Sequence, residues 1–166
     1  LSLWEINLSD KIVVLGIGNI LLRDEGIGVR VVEKLREIGL PENVEIHDGA
    51  TLGLSLLNLL SGCKKAIIVD AVLGGGKPGD IYRFKLKDVL NSNEKGNLLS
   101  MHDIDFVTAF RMGAEFLNLP DDIVVVGIEP ATFEEGLELS EEVEKAVPEV
   151  IKLILEEIKE ETDSGI

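Results

Sequence analysis

Two adjacent carboxylates, Asp24 and Glu25, follow an apolar run and a Gly-x-Gly turn in Val13-Val14-Leu15-Gly16-Ile17-Gly18-Asn19-Ile20-Leu21-Leu22-Arg23-Asp24-Glu25-Gly26. A nucleotide-binding fold places phosphate at that point, where the helix entrance offers partial positive charge and unpaired N–H groups. Two acids there repel a phosphate, and Leu21 replaces the third glycine of the dinucleotide fingerprint. The pair suits either helix capping or a site for a cation. Further polar residues that follow apolar runs are Asp48, Asp70 and Glu129, with His102 in a polar stretch. A Glu, an Asp and a His that converge make a two-oxygen, one-nitrogen set for a divalent transition metal, with positions left for water or substrate. Each acid alone also reads as a turn cap, and spacing does not choose between the readings.

Nucleophilic catalysis has little support. There is no Gly-x-Ser-x-Gly elbow, and Ser55 sits inside an apolar helical stretch. Cys63 has Lys64 and Lys65 beside it, a setting that lowers a thiol pKa, but no acid-base partner is assignable. Gly74-Gly75-Gly76-Lys77-Pro78 lacks the phosphate-loop frame and reads as a mobile turn. His47 reads as a surface or packing residue of a strand.

The elements that must position these residues alternate. Residues 11–17 form a continuous, β-branched run expected of a strand covered on both faces. Ile27, Val31, Val32, Leu35 and Ile38 recur at helical spacing until Gly39-Leu40-Pro41. Residues 44–47 predict a short strand, 52–60 a helix, 66–70 a buried strand, and 80–84 an edge strand with one drier face. A polar loop over 91–100, a helix over 102–117, a buried strand over 123–128 and a helix over 140–158, bent at Pro148, complete the chain. The pattern predicts one domain, a three-layer αβα sandwich on a mostly parallel five-stranded sheet. Sites in such sheets lie beyond the carboxyl ends of the strands. Asn19, Asp24, Glu25, Asp48, Asp70 and Glu129 are expected there, and the loop-to-helix junction at His102 is placed to face the same edge.

A chain of 166 residues fits a single core, and its net charge of −15 opposes nucleic-acid or anionic-bilayer partners. Residues 133–166 hold twelve Asp or Glu against three Lys, as expected of a solvated helix face and frayed tail. No apolar run approaches a membrane span and no secretory pattern is present, so a cytoplasmic protein is expected. One cysteine makes neither an internal disulfide nor a thiolate zinc site.

Taken together, the segment from Gly16 to Gly28, Asp48-Gly49 with Thr51, Val69-Asp70-Ala71, Ser100-x-His102 and Gly127-Ile128-Glu129-Pro130 resemble the nickel-iron hydrogenase maturation proteases. These endopeptidases trim the large-subunit precursor. The resemblance covers residues 11–158, and Glu134-x-Gly136-Leu137-x-Leu139-Ser140 is also family-like. It implies a phosphorylase/hydrolase-like fold and a metal-binding trio of Glu25, Asp70 and His102, with Asp48 a further acid close to the cleft. It also implies that the trio engages Ni²⁺ already loaded in the precursor, so that a C-terminal extension is cut only after metal insertion. The expected partner is that precursor, met by a monomer with no nucleic acid or membrane involved. Two rivals stay open on these residues: a nickel-sensing chaperone or scaffold that does not cut, and a small-molecule hydrolase on the same fold.

Overall fold

A computed structural model describes residues 10–50, 57–91 and 110–163. Five strands make one sheet in the order β2-β1-β3-β5-β4, with β1 at Ile12–Ile17, β2 at Val44–Ala50, β3 at Lys65–Ala71, β4 at Ile81–Lys85 and β5 at Asp122–Ile128. The pairs β1–β2, β1–β3 and β3–β5 are parallel; β4 runs antiparallel to β5 at the edge. Every residue of β1 and β3 is buried, which is why their sequences are continuous apolar runs rather than alternating ones.

Alternation along the strands divides the core into two layers. Ile12 and Val14 of β1, Ile67 and Val69 of β3, and Val124 and Val126 of β5 face helices α1 (Ile27–Ile38) and α4 (Glu141–Asp163). Val13, Leu15, Ala66, Ile68, Ile123 and Val125 face the opposite side, where α2 (Leu57–Leu60), α3 (Leu86–Asn91) and a helical turn at 110–113 pack. Each fully buried valine, leucine or isoleucine contributes about 1.5–3 kcal/mol relative to exposure. The predicted three-layer sandwich is therefore the observed one.

Several boundaries differ from the sequence reading. β2 extends through Ala50: Gly16 pairs with Asp48 and Ile17 with Ala50, so Gly49 is an extra residue bulged out of β2 and pairing resumes beyond it. Asp48 thus lies within the strand, opposite Gly16, rather than after it. Leu86–Asn91, unassigned by periodicity, is a short helix. The helix expected over 102–117 is helical only over 110–113 within the described residues; Leu117 N then donates to Gly113 O and the chain turns. The last helix runs through Pro148 and on to Asp163, so what reads as a frayed tail is partly helix. Of the helix expected over 52–60, only Leu57–Leu60 falls among the described residues.

The far end of the sheet carries a buried charge network. Lys65 Nζ lies 2.8 Å from Glu157 Oε2 and 3.8 Å from Asp122, and Arg83 Nε donates to Glu157 Oε1. It ties α4 to the amino ends of β3 and β5 and to β4.

Candidate active site

Glycine geometry brings the first acidic motif onto the sheet. A Cβ on Gly28 would strike the carbonyl oxygens of Val69 and Ile17, and one on Gly16 would strike the carbonyl of Gly28. The start of α1 therefore rests backbone-to-backbone on β1 and β3. Upstream, Gly18 has φ +139°, and a Cβ there would strike the carbonyl of Glu25. The loop folds onto a 3₁₀ turn, Arg23–Gly26, which packs against β3. These glycines serve close packing, not a phosphate.

The two acids of this turn have separate roles. Asp24 is fully buried and caps neither its own turn nor α1, whose N-caps make no side-chain bond. Its Oδ2 accepts from Ala131 N at 2.9 Å, Thr132 N at 3.2 Å and Ser140 Oγ at 2.7 Å, while Oδ1 accepts from Ser140 N at 2.8 Å. The carboxylate thereby fixes the segment after β5 and the start of α4, where Ser140 Oγ accepts from Val143 N at 3.4 Å as the N-cap. Arg23 supports the same joint. Its φ of 47° is a left-handed conformation costing a non-glycine residue about 1–2 kcal/mol. It is held by Arg23 N to Gly136 O at 3.0 Å and Arg23 Nε to Glu138 O at 3.0 Å.

Glu25 is 5% exposed and lies in the turn against β3. Asp70, also 5% exposed, is the penultimate residue of β3, opposite Gly127 of β5, and its Oδ1 accepts from Ala71 N at 2.8 Å. Both acids occupy the carboxyl edge, on segments in direct contact. Asp48 reaches the same edge from β2 but is exposed, at its rim. His102 lies outside the described residues, as do Thr51 and Ser100. Among the described residues no group of three or more His, Cys, Asp or Glu is placed to hold a metal ion.

Glu129, just beyond β5, holds the neighbouring loop. Its carboxylate accepts from Gly74 N at 3.2 and 3.3 Å and from Tyr82 Oη at 3.2 Å, while Tyr82 Oη accepts from Gly76 N at 3.0 Å. Burial and the nearby Glu129 and Asp80 charges raise the Tyr82 pKa against the Gly76 bond, keeping the phenol a neutral donor. With Lys77 N on Asp80 Oδ2 at 2.8 Å, the Gly74–Gly79 turn is anchored, not mobile. A Cβ at Gly74 or Gly76 would meet the Tyr82 side chain, so a larger residue at either position displaces the phenol from this network.

The remaining candidates fall away from the site. Burial pushes the Cys63 thiol up to about 11, outweighing the lowering effect of Lys11, so the adjacent lysines do not activate it. His47 sits in β2 with its Nε2 3.0 Å from Glu45 Oε2. Sequence reasoning missed Ser140 and Tyr82 as partners of the site acids; the only local signal was a serine before an acidic first turn, Ser140-Glu141-Glu142.

Comparison with known proteins agrees with this geometry. A hydrogenase maturation protease family model, HycI, matches residues 29–157. The chain is 35% identical over 157 residues to the hydrogenase 2 maturation protease of Escherichia coli strain K12, covering 90% of this chain and 92% of that one. It superimposes on the hydrogenase maturating endopeptidase HybD of E. coli with a TM-score of 0.79 at 31% identity, over 90% of this chain and 93% of that one. The hydrogenase 2 maturation peptidase of a Thaumarchaeota archaeon gives a TM-score of 0.68 at 28% identity, over 90% and 98% of the two chains. The sheet order, the glycine-packed acidic turn and these matches lead to one conclusion: the chain belongs to the hydrogenase maturation protease family, and it is an endopeptidase.

Proposed function

We propose that this endopeptidase removes the C-terminal extension of a nickel-loaded large-subunit precursor of a nickel-iron hydrogenase. It reads the precursor's own Ni²⁺ through Glu25 and Asp70, with His102 as the nitrogen ligand. The observation that carries the proposal is the burial of Glu25 and Asp70 on touching segments of one sheet edge. Both acids stand on that edge and carry oxygen donors of the kind a divalent cation takes. Oxygen donors with one imidazole suit a first-row divalent ion.

Glu25 and Asp70 would present oxygens to that ion, whose chemistry there is Lewis-acid polarisation of a neighbouring carbonyl for attack by water. Asp24 holds the turn that carries Glu25, and Asp48 faces the incoming precursor from the rim. No side-chain nucleophile is required. The free protein binds Ni²⁺ weakly in this reading, because three mixed ligands without a thiolate give less than a closed four-ligand site. It acts as a cytoplasmic monomer, with a charge of −15 opposing self-association; no described helix is long and apolar enough to cross a membrane.

Replacing Glu25 by Gln, Asp70 by Asn or His102 by Ala should abolish trimming and leave the melting temperature near the parental value. Parental trimming rates in all three variants would refute the site.

A further inference from the structure

Next to the acidic turn, two large apolar side chains are held out in solvent. Leu21 and Leu137 are each 60% exposed. Their backbones are nonetheless fixed: Leu21 N donates to Asn19 Oδ1 at 3.0 Å, Gly136 N donates to Leu21 O at 2.9 Å, and Arg30 Nη2 donates to Leu137 O at 3.0 Å. None of those bonds needs a leucine side chain.

Leu137 also stands at the lip of a groove of about 480 Å³ between α1 and the start of α4. Leu139 completes the apolar lip. Four carboxylates line the groove, Glu33, Glu37, Glu138 and Glu144, against the two cations Arg30 and Lys34. Arg30 lies 3.5 Å from Glu33 and Lys34 lies 3.6 Å from Glu144. Among the described residues Glu37 and Glu138 make no ion pair, and neither do the exposed Glu134 and Glu135 just before the lip. The groove thus offers apolar contact together with uncompensated negative charge.

We propose that this groove docks a cationic segment of the precursor polypeptide, one that carries an apolar residue for Leu137 and Leu139 and Lys or Arg for the glutamates. The assignment rests on the reading of the protein as a precursor-trimming endopeptidase. It makes the groove a specificity surface separate from Glu25 and Asp70. Charge complementarity selects the occupant: an anionic partner is repelled, and a purely apolar one leaves the glutamates unused. Charges at such a rim act on encounter and salt dependence more than on chemistry.

The test compares the parental protein with the Leu137→Ser/Glu138→Lys double variant and with Glu149→Lys/Glu156→Lys, a control on the outer face of α4. Affinity for the immobilised full-length precursor is measured at low and high salt, alongside kcat and KM for trimming. The double variant should weaken binding roughly tenfold, equivalent to about 1.4 kcal/mol. It should raise KM similarly, leave kcat within about twofold and lose most of the salt dependence, while the control matches the parent. Equal precursor affinity in the double variant overturns the proposal. So does a parental dimer that the double variant dissolves, since the occupant is then a second copy. If the parent binds but does not trim, the activity assignment fails, and the binding comparison still decides the groove.

Discussion

Asp24 and Ser140 are joined twice although 116 residues separate them: Ser140 N donates to Asp24 Oδ1 at 2.8 Å and Ser140 Oγ to Oδ2 at 2.7 Å. With Ala131 N and Thr132 N on the same carboxylate, Asp24 joins the turn that carries Glu25 to the start of α4. Truncation to Ala strands the buried Ser140 N and Oγ, at about 1–3 kcal/mol for each buried group left unsatisfied, and removes the acceptor of the part-buried Ala131 and Thr132 N–H groups. Asp24→Ala should therefore lose at least about 3 kcal/mol in urea unfolding, and Asp24→Asn should lose less while still slowing trimming. A loss below about 1 kcal/mol for Asp24→Ala would show that the clamp is not needed.

A second prediction concerns the opposite end of the sheet. Burial raises the Glu157 pKa, but the bonds from Arg83 and Lys65 outweigh it and hold the carboxyl below its usual range. Because the folded value is depressed, the stabilisation is present above the unfolded value of about 4.3 and is lost as pH falls through the folded value. Glu157→Gln removes the nearer of the two carboxylates beside the buried Lys65 ammonium and should cost about 3 kcal/mol at neutral pH. Melting curves of both proteins from neutral pH downward should converge in acid. A gap that stays constant to the lowest pH would contradict the assignment.

Cys63 supplies a third. With its thiol pushed up to about 11 by burial, almost none is thiolate at neutral pH. Iodoacetamide should leave the native protein unmodified and fully active, and Cys63→Ala should trim at the parental rate. Stoichiometric alkylation accompanied by loss of trimming would restore a thiol mechanism.

Much of this was legible in the sequence, for physical reasons that differ by residue. The runs at β1, β3 and β5 announce themselves because strands covered on both faces have no polar side to interrupt them. Asp70 at the carboxyl edge follows from that alone. Asp24 was indistinguishable from a local cap, since its partners at 131, 132 and 140 are close only after the sheet forms. Asp48 reads as following its strand because the bulge at Gly49, just beyond it in β2, leaves no mark on the Val44–His47 pattern. The six residues Leu86–Asn91 are too few to show a helical period. The glycine turn looked mobile by composition, and Glu129 and Tyr82, which pin it, come from two other strands' ends.

The central claim is that the protein reads the nickel in its precursor, and the intact mass of that precursor tests it most directly. Nickel-loaded and nickel-free precursor would each be incubated with the protein and weighed by mass spectrometry, with calorimetry of Ni²⁺ into the free protein alongside. The account predicts loss of a C-terminal peptide from the loaded precursor only, together with weak Ni²⁺ binding that weakens further in His102→Ala. Equal cleavage of both precursors would contradict nickel reading, and an unchanged mass in both would leave a nickel-binding scaffold in its place.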